Sequence, residues 1–175
     1  MSPERLRLEG RTIAIRPARR REIGPLVRAR NARTAHVRRG RREDASYRRR
    51  LERGESWTNG RVDLVLEKAG RVIGTIQAWR GWRHGLPPGV AEIGIWIDDA
   101  DDRDRGWGSE AVRIFAEWLL AAAAERVQAS TASGNAAARA ALDRAGFRFE
   151  GVLRGYFPGE SGDRVDYAMY GRLRD

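Results

Sequence analysis

The chain reads as an α+β fold with a mixed, mostly antiparallel central sheet and helices on its flanks. Three features predict this: short alternating apolar runs near both ends, one strongly amphipathic segment in the middle, and no repeat or low-complexity linker between them. At 175 residues the length fits a single domain, residues 1–175, able to bury ~70% of its unfolded surface.

Leu6, Leu8, Ile13 and Ile15 alternate with polar residues around Gly10 and Arg11, which predicts a bent strand or a short hairpin. Arg19 to Arg30 and Arg41 to Arg53 read as two charged helices, poor in apolar residues and so expected at the surface. Val62, Leu64 and Leu66, then Val72, Ile73 and Ile76, flank Ala69 and Gly70 as a hairpin. Turn formers fill Arg80 to Gly89 and lead into an apolar strand that carries Glu92. Ala111, Phe115, Trp118 and Ala122 recur at helical spacing, broadened by Val112, Ile114 and Leu119, and predict a core-facing stripe. A strand around Val127, a helix over Asn135 to Ala145, and closing strands over Phe147 to Leu153 and Val165 to Leu173 complete the chain.

Composition excludes several chemistries. There is no cysteine, which removes disulfides, thiol nucleophiles and thiolate metal sites. His36 and His84 are the only imidazoles and lie far apart in sequence, so no metal is expected. No stretch approaches the ~20 apolar residues of a membrane span, and Met1 to Gly10 is charged where a leader would be apolar, so the expected setting is cytoplasmic with no membrane partner. The net charge of +10 is confined to the front: residues 1–60 hold 18 arginines against 7 acids, whereas residues 61–175 hold 16 bases against 17 acids. Residues 19–53 are therefore either a solvated arginine-rich face or a contact for an acidic partner such as a nucleic acid or the ribosome.

The segment from Glu92 to Leu120 carries the chemistry. It runs from a buried strand through a charged loop, Arg103-Asp104-Arg105-Gly106-Trp107-Gly108-Ser109, into an amphipathic helix. Without side chains at Gly106 and Gly108 the backbone can curl and aim successive amides at an anion, and the helix start adds its positive dipole end. The rival phosphate motifs GxxxxGK[ST] and GxGxxG after a strand are absent.

Arg103, Gly106 and Gly108 form RxxGxG, Asn135 opens a later helix, and Gly146-Phe147 closes it before Glu150 to Arg154, EGVLR. This arrangement resembles the GNAT N-acetyltransferases, in their RimJ/RimL-like branch, over roughly residues 6–173. The resemblance implies the GNAT acyl-CoA N-acyltransferase fold and an enzyme that moves an acetyl group from acetyl-CoA, a co-substrate used without metal, to a primary amine. The acceptor would be a protein N-terminus or a small molecule, and the protein a monomer or homodimer. A GNAT-shaped module that binds acyl-CoA or RNA without catalysis is the reading of a different class.

The same resemblance assigns roles. The loop from Arg103 to Ser109 would seat the pyrophosphate, with Arg103 and Arg105 adding charge; the backbone of Ile95, Trp96 and Ile97 would pair with the pantetheine arm; and Asn135 would contact that arm besides capping its helix. Arg139 and Arg144 are both in reach of phosphates, with Arg144 expected to be solvated. Glu92, beginning an apolar strand, is the candidate general base. The acid is where the chain departs from the family: Leu142 stands where many members carry Tyr, and Ala138 where RimL-like members carry Ser. Ser133, Tyr156 and Tyr167 are the remaining hydroxyl candidates. Arg30-Asn31 matches the branch's pair after the first helix, but the acceptor segment that follows does not.

Overall fold

A computed structural model describes residues 6–33, 41–54, 56–57, 59–159 and 162–175; His36 lies outside them. Strands β1 (Leu8–Glu9) and β2 (Ala14–Arg16) form the hairpin alternative of the N-terminal reading, and helices α1 (Arg20–Arg33) and α2 (Arg41–Arg53) follow. Next come β3 (Arg61–Lys68), β4 (Arg71–Arg80), β5 (Val90–Ile97), α3 (Trp107–Ala122), β6 (Arg126–Ala132), α4 (Ala136–Arg144), β7 (Arg148–Pro158) and β8 (Arg164–Leu173). One eight-stranded sheet takes them in the order β1-β2-β3-β4-β5-β6-β8-β7. Every neighbouring pair is antiparallel except β5 and β6.

The turn between β3 and β4 shows why the hairpin forms at Ala69-Gly70. Both residues have positive φ, 48° and 79°, the combination of a two-residue turn whose twist matches that of the flanking strands. Strand β3 is buried on both faces: Val62, Leu64 and Leu66 join the larger core cluster, whereas Val65 joins a second one. That second cluster lies beneath α1 and α2, where Ile23, Leu26, Val27, Tyr47 and Leu51 supply the apolar faces of two otherwise arginine-rich helices. The guanidinium of Arg16 fastens this layer, donating to Glu22 at 2.9 Å and to Glu67 at 2.7 Å. Burial by itself would raise both carboxyls, yet Arg16 holds each below its ordinary value.

Helix α3 packs on the opposite face, and its buried stripe differs from the expected one. Ala111, Val112, Ile114, Phe115, Ala116, Leu119 and Leu120 form the stripe; Trp118 is half-buried with its ring stacked on Phe115 at 5.5 Å, and Ala122 is exposed. The shift has a simple cause: a helix between a sheet and α4 buries a wide arc, and that arc centres on Phe115 instead of running along the Trp118 edge. In the first turn Glu110 accepts hydrogen bonds from the amides of Arg11 and Thr12 and from the Thr12 hydroxyl, locking the β1–β2 turn onto α3.

Truncating Phe115, fully buried, to Ala leaves a cavity and costs about 3–5 kcal/mol, whereas Ala122→Ser on the exposed last turn stays within ~0.5 kcal/mol. Urea unfolding midpoints of the two variants check this.

Candidate active site

The two halves of the sheet are joined by a short parallel seam. Strands β5 and β6 pair only through Val90↔Arg126, Ala91↔Val127 and Glu92↔Gln128. Beyond it β5 stays with β4 as far as Gly74↔Ile97, and β6 stays with β8 as far as Ala132↔Tyr167. One edge of β5 therefore opens on a cleft. The Asp98 amide donates to the Ile73 carbonyl on the β4 side at 3.0 Å; by strand alternation the peptide groups of Ile93, Ile95 and Ile97 face the cleft instead. The main chain of Trp96 turns toward β4. Its exposed ring, not its backbone, is what it offers the site.

Past β5 the chain makes a short 3-10 turn, Ala100–Asp102, and reaches α3 through Arg103 to Gly106. Asp104 and Gly106 both have positive φ, 56° and 79°, while Arg103 has φ −83°. Alternation of this kind bends consecutive amides toward one concavity. Among the described residues, no protein group accepts a hydrogen bond from the amides of Asp104 through Ser109. Of these residues Asp104, Gly106, Gly108 and Ser109 line a cavity of about 380 Å³, together with Ile95, Ile97, Asn135 and the near face of α4.

Of the two loop arginines expected to add charge there, Arg103 lines that cavity and Arg105 does not. Arg103 donates to the carbonyls of Ile97 and Asp98 at 3.2 to 3.4 Å, and Arg105 to the carbonyl of Asp101 at 2.9 Å. Both brace the turn against carbonyls of the chain leading into it. Arg71, at the start of β4, grips the Asp102 carboxylate with two bonds of 2.7 Å and holds it below its ordinary pKa. Nothing local marks this pair in the sequence, since its members are 31 positions apart.

Helix α4 opens with Asn135, whose Oδ1 accepts from the Ala138 amide at 3.1 Å. Ala137, Ala138, Ala141 and Arg144 line the cavity, a helical stripe whose small side chains keep the space open. Arg144 donates to the Ser109 hydroxyl at 3.1 Å. Arg139 lies on another face, bonded to the Tyr170 hydroxyl at 3.2 Å and the Ser133 carbonyl at 3.4 Å. The expected roles of the two arginines are thus exchanged, because five helical residues turn the side chain by about 140°.

Glu92 stands at the last pair of the seam, half-buried, its carboxylate accepting from the Gln128 amide group at 2.9 Å. Burial raises its pKa and the Gln128 bond only partly opposes that. On the same face of the sheet a second cavity, about 510 Å³, runs under α1 and α2; Ile95 and Trp96 line both cavities, so the two meet at β5. His84 lines the second cavity, and its Nε2 lies 3.0 Å from the Asn59 carbonyl. The hydroxyl candidates fall outside these linings. Ser133 Oγ is buried without a hydrogen-bond partner, and Tyr156 is half-exposed with its ring 5.7 Å from that of Tyr167. Leu142 is buried in the core, and Ala138 brings no hydroxyl to the cavity wall.

Gly106→Ala leaves space unchanged but forces a β-carbon into the left-handed region, at about 1–2 kcal/mol. At Gly108 an added Cβ would sit 3.6 Å from Ile97 Cδ1, an ordinary contact. Gly108→Ala is therefore expected to bind coenzyme A nearly as the wild type does, whereas Gly108→Trp fills the concavity and abolishes binding. Isothermal titration with coenzyme A distinguishes the two.

The model for the acetyltransferase (GNAT) domain family matches residues 12–148. No curated protein matches the chain in sequence. Solved structures do. The RimL ribosomal L7/L12 alpha-N-protein acetyltransferase in complex with coenzyme A superposes with a TM-score of 0.74 at 16% identity, over 97% of this chain and 99% of that one. The ribosomal-protein-S5-alanine acetyltransferase from Vibrio fischeri gives 0.75 at 18% identity, over 97% of each chain. The microcin C7 self-immunity acetyltransferase MccE, in complex with acetyl-CoA and AMP, gives 0.69 at 15% identity, over 94% of this chain and 93% of that one. At such identities the superpositions speak for the fold, and it is the family match, running through most of the chain and across the seam, loop and α4, that decides membership: this protein belongs to the acetyltransferase (GNAT) domain family.

Proposed function

We propose that the protein transfers the acetyl group of acetyl-CoA to a primary amine, the α-amine of a protein N-terminus. The observation that carries this is the meeting of two cavities at β5, one bordered by unpaired amides and the other lined by Trp79, the register partner of the half-buried Glu92. In this reading the amides of Asp104 to Ser109 hold the pyrophosphate, and the open peptide group of Ile95 and the amide of Ile97 pair with the pantetheine arm as an added strand would. Asn135 and Arg144 border the same path. RimL and the S5-alanine acetyltransferase are, by name, modifiers of ribosomal proteins, which supports a protein N-terminus as acceptor.

The neutral amine attacks the thioester carbonyl, its proton passes to Glu92 directly or through water, and the C–S bond breaks to release the thiolate. A thiol of pKa about 8.5 leaves without much help, so the absence of a hydroxyl at Ala138 and Leu142 is tolerable. Deprotonation is the harder requirement. An α-amine of pKa about 7.7 to 8.0 is partly neutral already, whereas a lysine near 10.4 demands about three units more, roughly 4 kcal/mol. A single carboxylate base thus suits the α-amine.

A small-molecule amine is the second reading, favoured by the bounded volume of the acceptor cavity, about 510 Å³. Exposed Arg20, Arg21, Arg28, Arg48 and Arg49 on α1 and α2 give the approach to that cavity a basic field suited to an anionic acceptor or to RNA. Acetylation of N-terminal peptides alongside an amine panel separates the readings. Turnover of small amines alone removes the protein N-terminus.

Glu92→Gln is expected to spare coenzyme A affinity and to lower kcat by ~10²–10⁴. In the wild type the rate falls on the acid side as Glu92 takes up its proton above the ordinary carboxylate range, and the variant loses that limb. The linkage sign separates this from unfolding: a carboxyl raised in the folded state favours folding at low pH, and that contribution is lost as pH rises through the raised value. Glu92→Gln should therefore be at least as stable as the wild type at pH 7, a comparison made by urea unfolding beside the pH–rate profile.

A further inference from the structure

The acceptor cavity has a polarity of its own. Arg61, Trp79 and Glu92 stand in register across β3, β4 and β5 through the pairs Arg61↔Trp79 and Trp79↔Glu92. Partners on antiparallel strands direct their side chains to one face, so a guanidinium, an indole and a carboxylate form a row, its outer Cα atoms about 10 Å apart. The Arg61 guanidinium lies 5.7 Å from the centre of the Trp79 ring, and both residues line the cavity.

The charges around Arg61 do not balance. Its Nη2 reaches Asp63 at 3.3 Å, but Asp63 also accepts from Arg50, so one carboxylate serves two guanidinium ions. The other partner of Arg61 is the neutral side-chain oxygen of Gln77. Its Nε is buried with no hydrogen-bond partner. Burial lowers the pKa of this guanidinium, which an arginine answers by staying charged and seeking an anion.

We infer that the acceptor carries a carboxylate close to its reacting amine, with the amine at Glu92, the intervening apolar part over Trp79, and the carboxylate on Arg61 and Gln77. The inference rests on the reading of this cavity as the amine site. The same chemistry has two sources, the side chain of an acidic second residue in a peptide and the side-chain carboxylate of a free amino acid. A cationic group at that end would meet Arg50 and Arg61 together.

The test compares kcat/KM for two matched pairs, an Ala-Glu against an Ala-Gln peptide and free glutamate against free glutamine, in the wild type, Arg61→Gln and Arg61→Lys. The carboxylate member of at least one pair should be preferred about tenfold or more, chiefly through KM, as expected for a charge-assisted contact. The pair that shows it names the source. Arg61→Gln should bring that ratio to within about twofold, and Arg61→Lys should restore part of it. Ratios near one in both wild-type pairs, or a preference that Arg61→Gln leaves intact, overturn the inference while acetyl transfer stands. If Arg61→Gln does not fold, the wild-type ratios and their decline with added salt decide alone. If no amine is acetylated the proposed function fails, and calorimetric binding of the same pairs still decides whether a carboxylate is recognised.

Discussion

The short seam between β5 and β6 is the constraint on which the rest depends. Three residue pairs join two half-sheets, each otherwise paired on its own side. Because the strands then part, β5 keeps an unpaired edge inside the molecule, where backbone groups are costly to leave without partners. An extended ligand can satisfy them. The point of parting holds Glu92, tied to Gln128, and beyond the far end of β5 a short 3-10 turn leads to the amides that precede α3. One topological choice thus brings the open strand edge, the unpaired amides and the Glu92 carboxylate to one cleft.

Arginine does much of the shaping. The chain has a single lysine, and guanidinium groups take positions that a point charge fills poorly: two-pronged on Asp102 from Arg71, between Glu22 and Glu67 from Arg16, on paired carbonyls from Arg103. These contacts explain how a loop rich in charge presents a concavity formed of main-chain donors. By occupying carbonyls of the approaching chain, the arginines brace the turn, and its amides keep no protein acceptor among the described residues. The surplus charge appears elsewhere, on the outer faces of α1 and α2 and at Arg61 in the acceptor cavity.

What could be read before the structure divides along physical lines. Local determinants were legible: Ala69-Gly70 marks a turn because both residues take positive φ, and Gly106 marks the loop for the same reason, whereas Gly108 lies in the first turn of α3 and needs no such freedom. The helix-capping part of Asn135 was equally local and legible. Directions set by tertiary packing were not. Arg139 and Arg144 carry equal charge in one short helix, and only the docking of α4 decides which of them meets Ser109 and which meets Tyr170. Trp118 and Ala122 fit a helical period as well as Ala116 and Leu120 do, so the buried arc had to come from the sheet beneath. The Arg71–Asp102 clamp and the Arg61–Trp79–Glu92 row join residues distant in sequence, and strand register alone brings them together.

The central claim is that main-chain donors ahead of α3 take up the diphosphate of an acyl carrier. Amide NMR shifts during titration with acetyl-CoA test it most directly. The account predicts large, saturable downfield shifts confined chiefly to Asp104 through Ser109, with smaller ones at Ile95 and Ile97. Saturable binding that leaves those six amides unmoved would contradict it.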